Sequence, residues 1–511
     1  MEKRTLLSPI AARRRAGAVS SGLLKRREPP GRLHNRSAGQ NGPGGERTVF
    51  GLDYGKNSVT GIRLAYIGGG SRGWARSLMS DLAQEPALAG TVRLYDIDAQ
   101  AAADNETIGN ALSARGDAAG KWEYKAVGSL REALTGADFV IISILPGTFE
   151  EMRSDVHAPE KYGIYQSVGD TAGPGGVVRA LRTVPMFEEI ALAIRDWAPH
   201  SWVINYTNPM TVCVRTLYKV FPGIKAFGCC HEVFGTQKLL AAALHDILGE
   251  GPADRSEIRT NVLGVNHFTW IDRAGWRGTD ILPVYRRFVD KYYDAGFEGN
   301  VEKGNWMNNT FASCERVKFD LFRRYGVIAA AGDRHLAEFC PGKWYLKDPE
   351  TVRDWKFGLT TVQWRIDDLH QRLEKSRRLL SGEERFELNH TGEEGVRQIK
   401  ALLGVDDLVT NVNIPNVGQM KDVPLGAVVE TNAFFSRDSV RPVASGRLPD
   451  PVLGLVLRQV MNQETVAEAA LKKDYEAAFA AFVNDPLVTV SLRDARRLYR
   501  EMLENTKAYL R

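Results

Sequence analysis

Cysteine is scarce in this chain of 511 residues: there are five, at positions 213, 229, 230, 314 and 340. So small and odd a set in so long a chain argues against a disulfide framework and for a reducing compartment, here taken as the cytoplasm. Long apolar runs are missing as well. No stretch reaches the roughly 18 residues of a membrane-spanning helix, and the start of the chain lacks the apolar centre of a secretory signal. An overall excess of one charge is also absent once the tail is set aside. The net charge is +5, but residues 1–50 alone hold eleven Lys and Arg against three Glu, a local excess of eight, so the rest of the chain carries −3. A mildly acidic body is expected to bind neither nucleic acid nor a membrane surface. The basic segment, rich in Arg, Gly, Pro and Ser, reads as a disordered extension over residues 1–60.

What the chain does contain is a body large enough for two packed domains, with 43% hydrophobic and 25% charged residues. Apolar stretches at 62–67, 91–95, 137–145, 202–206 and 224–229 alternate with helix-compatible sequence. This alternation predicts an α/β fold with an N-terminal Rossmann-like doubly wound parallel sheet over 61–240. From 241 to 511 the pattern becomes mixed: a strand over Val262–Ile271, a long charged helix within 354–386, β-branched runs over 407–445, and helices over 451–510. This half is expected to form an α+β domain for substrate binding and dimerisation.

Gly68, Gly70 and Gly73 follow the first strand with the spacing Gly-x-Gly-x-x-Gly, and Asp96 ends the second strand. Among 49 glycines the spacing alone says little. Placed between a strand and a helix, it gives a backbone that can approach a pyrophosphate at a helix N-terminus. A carboxylate at the end of the second strand accepts from a ribose hydroxyl and repels a 2′-phosphate, which favours NAD over NADP. A glycine-rich turn beside a solvated Asp accounts for the same residues. Gly68, Gly69, Gly70, Ser71, Asp96 and Asn205 form the expected cofactor set.

Three polar segments sit in apolar settings. Cys230-His231 follows a strand, Asp170 lies in a tight glycine-rich loop leading to Arg179 and Arg182, and Asn205 to Asn208 caps another strand. In an open α/β sheet all three would face the crevice at the strand ends. The Cys230 thiolate and the His267 imidazole could share a divalent metal with positions open for substrate oxygens. A buried thiol and a hydrogen-bonded histidine would explain them as well, and turn and cap chemistry would explain the others.

In order and spacing, Ile67 to Ser71, Gly169-Asp170 to Gly176, Asn205 to Pro209, Cys230-His231 and Gly264 to His267 together resemble glycoside hydrolase family 4 from about residue 62 to 510. The resemblance implies an NAD- and manganese-dependent glycosidase, outside the usual carboxylate-pair mechanism. In such an enzyme NAD oxidises the carbon-3 hydroxyl, a base removes the acidified carbon-2 proton, the glycosidic oxygen leaves, water adds, and NADH restores carbon 3. It further implies Cys230 and His267 as metal ligands, His231 as the acid at the leaving oxygen, Asp170 and Asn208 on the substrate, and Asp320, ahead of Tyr325, as base. A homo-oligomer, dimer or tetramer, is also implied. His231-Glu232-Val233 and the segment Gly332 to Phe339 look like the α-galacturonidase subgroup, with Arg334 to meet a uronic carboxylate. Galactosides and glucuronides stay open as substrates, and a plain NAD-dependent dehydrogenase or an NAD-binding redox sensor remain as readings of the fingerprint alone.

Overall fold

Strands that read as continuous apolar runs need cover on both faces, and helices supply it. The computed structural model describes residues 52–251, 253–298 and 313–510. Most of the expected 1–60 extension lies outside the described residues. Its last part is structured, with β1 (Asp53–Tyr54) pairing with Val59 and Thr60.

Six strands form the parallel part of the main sheet: β2 (Val59–Ile67), β3 (Leu88–Tyr95), β4 (Lys121–Ala126), β5 (Phe139–Ile142), β6 (Trp202–Asn205) and β7 (Lys225–Gly228). They lie in the order β4-β3-β2-β5-β6-β7, every pair parallel. This is the doubly wound order of a dinucleotide-binding sheet, and the winding reverses between β2 and β5. β5 shows why its sequence is uninterrupted by polar residues. Phe139 and Ile141 belong to the core on one face, and Val140 and Ile142 to the core on the other. β4, which is not among the expected strands, alternates buried and exposed residues on the outer edge.

Two features of the second half differ from expectation. The single strand predicted over Val262–Ile271 is a hairpin of β8 (Arg259–Val265) and β9 (Phe268–Trp276), in which Val265 pairs with Phe268. Asn266 and His267 are therefore the two turn residues, and His267 adopts φ +63°, a left-handed conformation of the kind that tight hairpin turns require. Short strands β10 (Thr279–Asp280) and β11 (Ile328–Ala329) complete this antiparallel sheet. The β-branched runs at 407–445 become β12 (Leu408–Pro415), β13 (Val428–Ser436) and β14 (Ser439–Pro442). They do not build a sheet of their own. β12 runs antiparallel beside β7, with Asn413 opposite Gly228, and extends the main sheet to ten strands. The expected helices appear at Val362–Ser381, Asp450–Lys472, Tyr475–Asn484 and Leu492–Thr506.

Candidate active site

The parallel strands all end on one edge, so the segments that follow β2, β6 and β7 meet there. After β2 the chain turns at Gly68, whose φ is +95° and whose added Cβ would fall 1.9 Å from the Ser143 carbonyl oxygen. Only glycine fits this turn. A Cβ on Gly70 would meet Asp96 Oδ2 at 2.9 Å. Asp96 holds the loop directly, accepting from the Gly70 amide at 2.8 Å and from the Asp98 amide at 3.0 Å. Behind the loop the buried Asn105 donates to the carbonyls of Gly69 (2.8 Å) and Ser71 (3.1 Å). Ser71 Oγ accepts from the Trp74 amide as the helix Trp74–Ala83 begins. The result is a backbone cradle free of side chains at a helix N-terminus, the arrangement that receives a pyrophosphate. Ile97, next to Asp96, is 95% exposed.

Asn205, expected on the cofactor, uses its side chain locally. It donates to the Thr207 carbonyl and accepts from the Thr207 amide, both at 3.0 Å. Thr207 in turn accepts from the Ile144 amide at 2.9 Å, joining the ends of β5 and β6. Asn208 reaches the Asp170 loop, with Nδ2 3.4 Å from Asp170 Oδ2, and its Oδ1 is buried without a hydrogen-bond partner. Arg179 Nε donates to the Asn208 carbonyl at 3.2 Å, whereas Arg182 is a structural ion pair with the buried Asp155.

Asp170, His267 and His335 offer ligand atoms that all lie within 4.8 Å of one another. The Thr171 hydroxyl links two of them, donating to Asp170 Oδ1 (2.7 Å) and meeting His267 Nδ1 at 3.0 Å. A hydroxyl that donates to the carboxylate accepts from Nδ1–H, which leaves Nε2 of His267 as its lone-pair nitrogen. The rings of His267 and His335 stack with centroids 3.7 Å apart. His335 Nε2 is 3.5 Å from Glu232, and its Nδ1 is buried with no hydrogen-bond partner. Burial pushes both imidazoles toward the neutral form, His335 to about 3. Burial also opposes ionisation of Asp170, but the His267 and His335 rings, the Arg179 guanidinium and the Thr171 hydroxyl outweigh it and hold the carboxyl well below its usual range. A carboxylate and two neutral imidazoles, one of them with an orphaned nitrogen, suit a divalent cation. Cys230, expected to share a metal with His267, is not one of these three. Its thiol is buried, near Asn266 and the Glu430 carboxyl.

His231 opens the helix Glu232–Leu248 and places Nδ1 3.2 Å from Glu393 Oε1. Burial favours the neutral ring, but Glu393 and then Glu232 outweigh it and raise the imidazole to about 9. Arg334 is 4% exposed, with the Glu232, Glu338 and Asp170 carboxylates acting on it. Asp320 is not brought into this group. Its oxygens accept from Tyr293 (2.9 Å) and Tyr345 (2.5 Å), and Arg324 pairs with it one helical turn on. Tyr325 packs against Trp270 in the core.

The chain matches the model of the family 4 glycosyl hydrolases over residues 63–246 and that of their C-terminal domain over 262–488. It belongs to glycosyl hydrolase family 4. An α-galacturonidase of Thermoanaerobacterium saccharolyticum is 69% identical over 459 residues, 90% of this chain and 98% of the relative. A solved Bacillus subtilis structure, described as a glucosidase, is 55% identical with a TM-score of 0.82, covering 87% of this chain and all of its own. A 6-phospho-α-glucosidase from gut microorganisms, solved with NAD and Mn2+, shares the fold at a TM-score of 0.72 and 20% identity, over 88% of this chain and 99% of its own. Membership of family 4 sets aside the dehydrogenase and redox-sensor readings. No helix among the described residues is long and apolar enough to cross a membrane.

Several residues of this family 4 site carry no readable signal in the sequence. Glu393 and Asn105 come from ordinary polar stretches. His335 and Glu232 lie in segments that mark the subgroup, but nothing in their spacing pairs them.

Proposed function

We propose that this glycosidase releases terminal α-galacturonides by oxidation at carbon 3, elimination, water addition and re-reduction, using NAD and manganese. The observation that carries the reading is the meeting, at one sheet edge, of a glycine cradle, a buried carboxylate–imidazole cluster and an imidazole raised to about 9. Identity of 69% with an α-galacturonidase supports the substrate.

The cradle of Gly68 to Ser71 would hold the dinucleotide, with Asp96 beside its ribose. Cys230 and His267 are the proposed metal ligands, with Asp170 and His335 completing the donor set. When bound, the dinucleotide supplies a hydride acceptor and donor, and the ion supplies a Lewis acid for sugar oxygens. Three of the chain's own groups act beside them. Asn208, with its free buried Oδ1, orients a sugar hydroxyl. His231 carries a proton at neutral pH, and Glu393 on Nδ1 fixes the ring so that the proton on Nε2 is the one available to the departing glycosidic oxygen. Arg334 adds positive charge where a uronic carboxylate would enter.

The test is cofactor dependence with conserved NAD. Protein freed of metal and dinucleotide should cleave α-linked digalacturonate only when both Mn2+ and NAD are restored, with no net absorbance gain at 340 nm. Full activity without them, or NADH accumulating in step with product, would overturn the reading.

A further inference from the structure

Three guanidinium groups from three segments act on the single carboxylate of Asp170. Arg179 comes from the helix Gly173–Trp197, Arg334 from Asp333–Phe339, and Arg365 from the first turn of Val362–Ser381. Arg179 is committed to the Asn208 carbonyl, and Arg334 is sealed in the interior. Arg365 is less deeply buried than either. It is half-buried, its Nε has no hydrogen-bond partner, and Asp368, one helical turn on, acts on it without an ion pair among the described residues. Buried guanidinium donors are rarely left unmatched in a native fold, so this one calls for an acceptor that the chain itself does not supply.

Glu232 acts on Arg334 and Asp368 on Arg365. Glu338 gives Oε1 to the amides of Val168 (2.8 Å) and Gly169 (2.9 Å), and its Oε2 is buried without a partner. Burial raises it to about 8, so it is largely neutral at physiological pH. Arg365 also repels Arg334, on which it is the largest single charge. An anion bound beside Arg365 would relieve that repulsion and fill the empty donor.

We propose that Arg365 binds the carboxylate of the sugar and is what makes the site prefer a uronic acid to a neutral hexose. The proposal rests on the acidic-sugar reading above. Asp170 stands in the His267–His335 cluster on one side and in the field of Arg365 on the other. One hexuronate ring could thus set its hydroxyls toward the imidazoles and its carboxylate toward Arg365. A guanidinium fork matches a carboxylate bidentately, which a lysine does not.

Galacturonate and galactose are titrated calorimetrically into the NAD- and Mn2+-loaded protein. Wild type is expected to bind galacturonate about 10- to 100-fold more tightly, the worth of a charge-assisted pair. Arg365→Met should erase that gap and change galactose affinity less than about threefold, and Arg365→Lys should retain part of it. If Arg365→Met unfolds at a lower temperature, Arg365→Lys carries the comparison. A gap that survives in Arg365→Met, or equal loss of both sugars, would overturn the proposal while leaving the substrate reading intact. No gap in wild type would overturn the acidic-sugar reading and the proposal with it.

Discussion

Nδ1 of His231 lies 3.2 Å from Oε1 of Glu393, a residue 162 positions further along the chain. The contact orients the imidazole and keeps it charged. Glu393→Gln keeps the shape and removes the charge. For digalacturonate, whose leaving group is an alkoxide, kcat/KM should fall about 10- to 100-fold, as when a supporting partner of a working histidine is lost. For a nitrophenyl galacturonide, whose leaving group needs no proton, the fall should stay below about threefold. Equal losses on both substrates would mean that Glu393 serves the fold and not proton donation.

His335 presents a buried Nδ1 without a partner, stacked on His267. Metal affinity is therefore expected to depend on it. Mn2+ binding followed by electron paramagnetic resonance should weaken about 10- to 100-fold in His335→Ala, with NAD affinity little changed. Cys230→Ser should weaken Mn2+ binding as well. Unaltered Mn2+ affinity in His335→Ala would remove His335 from the donor set.

The loop that carries Glu393 is anchored by Asp81, which accepts from the Thr391 amide at 3.1 Å and from its hydroxyl. Burial raises this carboxyl to about 6, above the roughly 3.9 of an unfolded chain. The folded state thus holds the proton more tightly. Its stabilising contribution is complete below about pH 4 and is lost as pH rises through 6. At about 1.4 kcal/mol per unit the loss amounts to about 2–3 kcal/mol. Asp81→Asn cannot ionise, so its stability relative to wild type should improve from pH 4.5 to pH 7 in thermal or urea unfolding. A constant difference across that range would contradict the assignment.

The main sheet was legible because its strands are buried on both faces and leave unbroken apolar runs between helical stretches. The glycine loop was legible because Gly68 and Gly70 occupy positions no side chain can share. The hairpin at Asn266-His267 was not, since neither residue is the glycine that usually marks such a turn. The docking of β12 on β7 joins residues 185 apart, Asn413 and Gly228, and no local pattern encodes a pairing at that distance. Asp320 is a different case. On a helix it resembles the family's base, yet Tyr293, Tyr345 and Arg324 enclose its carboxyl. His335 and Glu393 act through partners that only folding brings near.

The most direct test of an oxidation and elimination at carbons 3 and 2 is the fate of the carbon-2 proton. Digalacturonate is cleaved in deuterated water with NAD, Mn2+ and reductant, and the released galacturonate is read by NMR. Deuterium at carbon 2 is the predicted result. Released galacturonate that keeps its carbon-2 proton throughout would contradict the account and point to direct displacement at carbon 1.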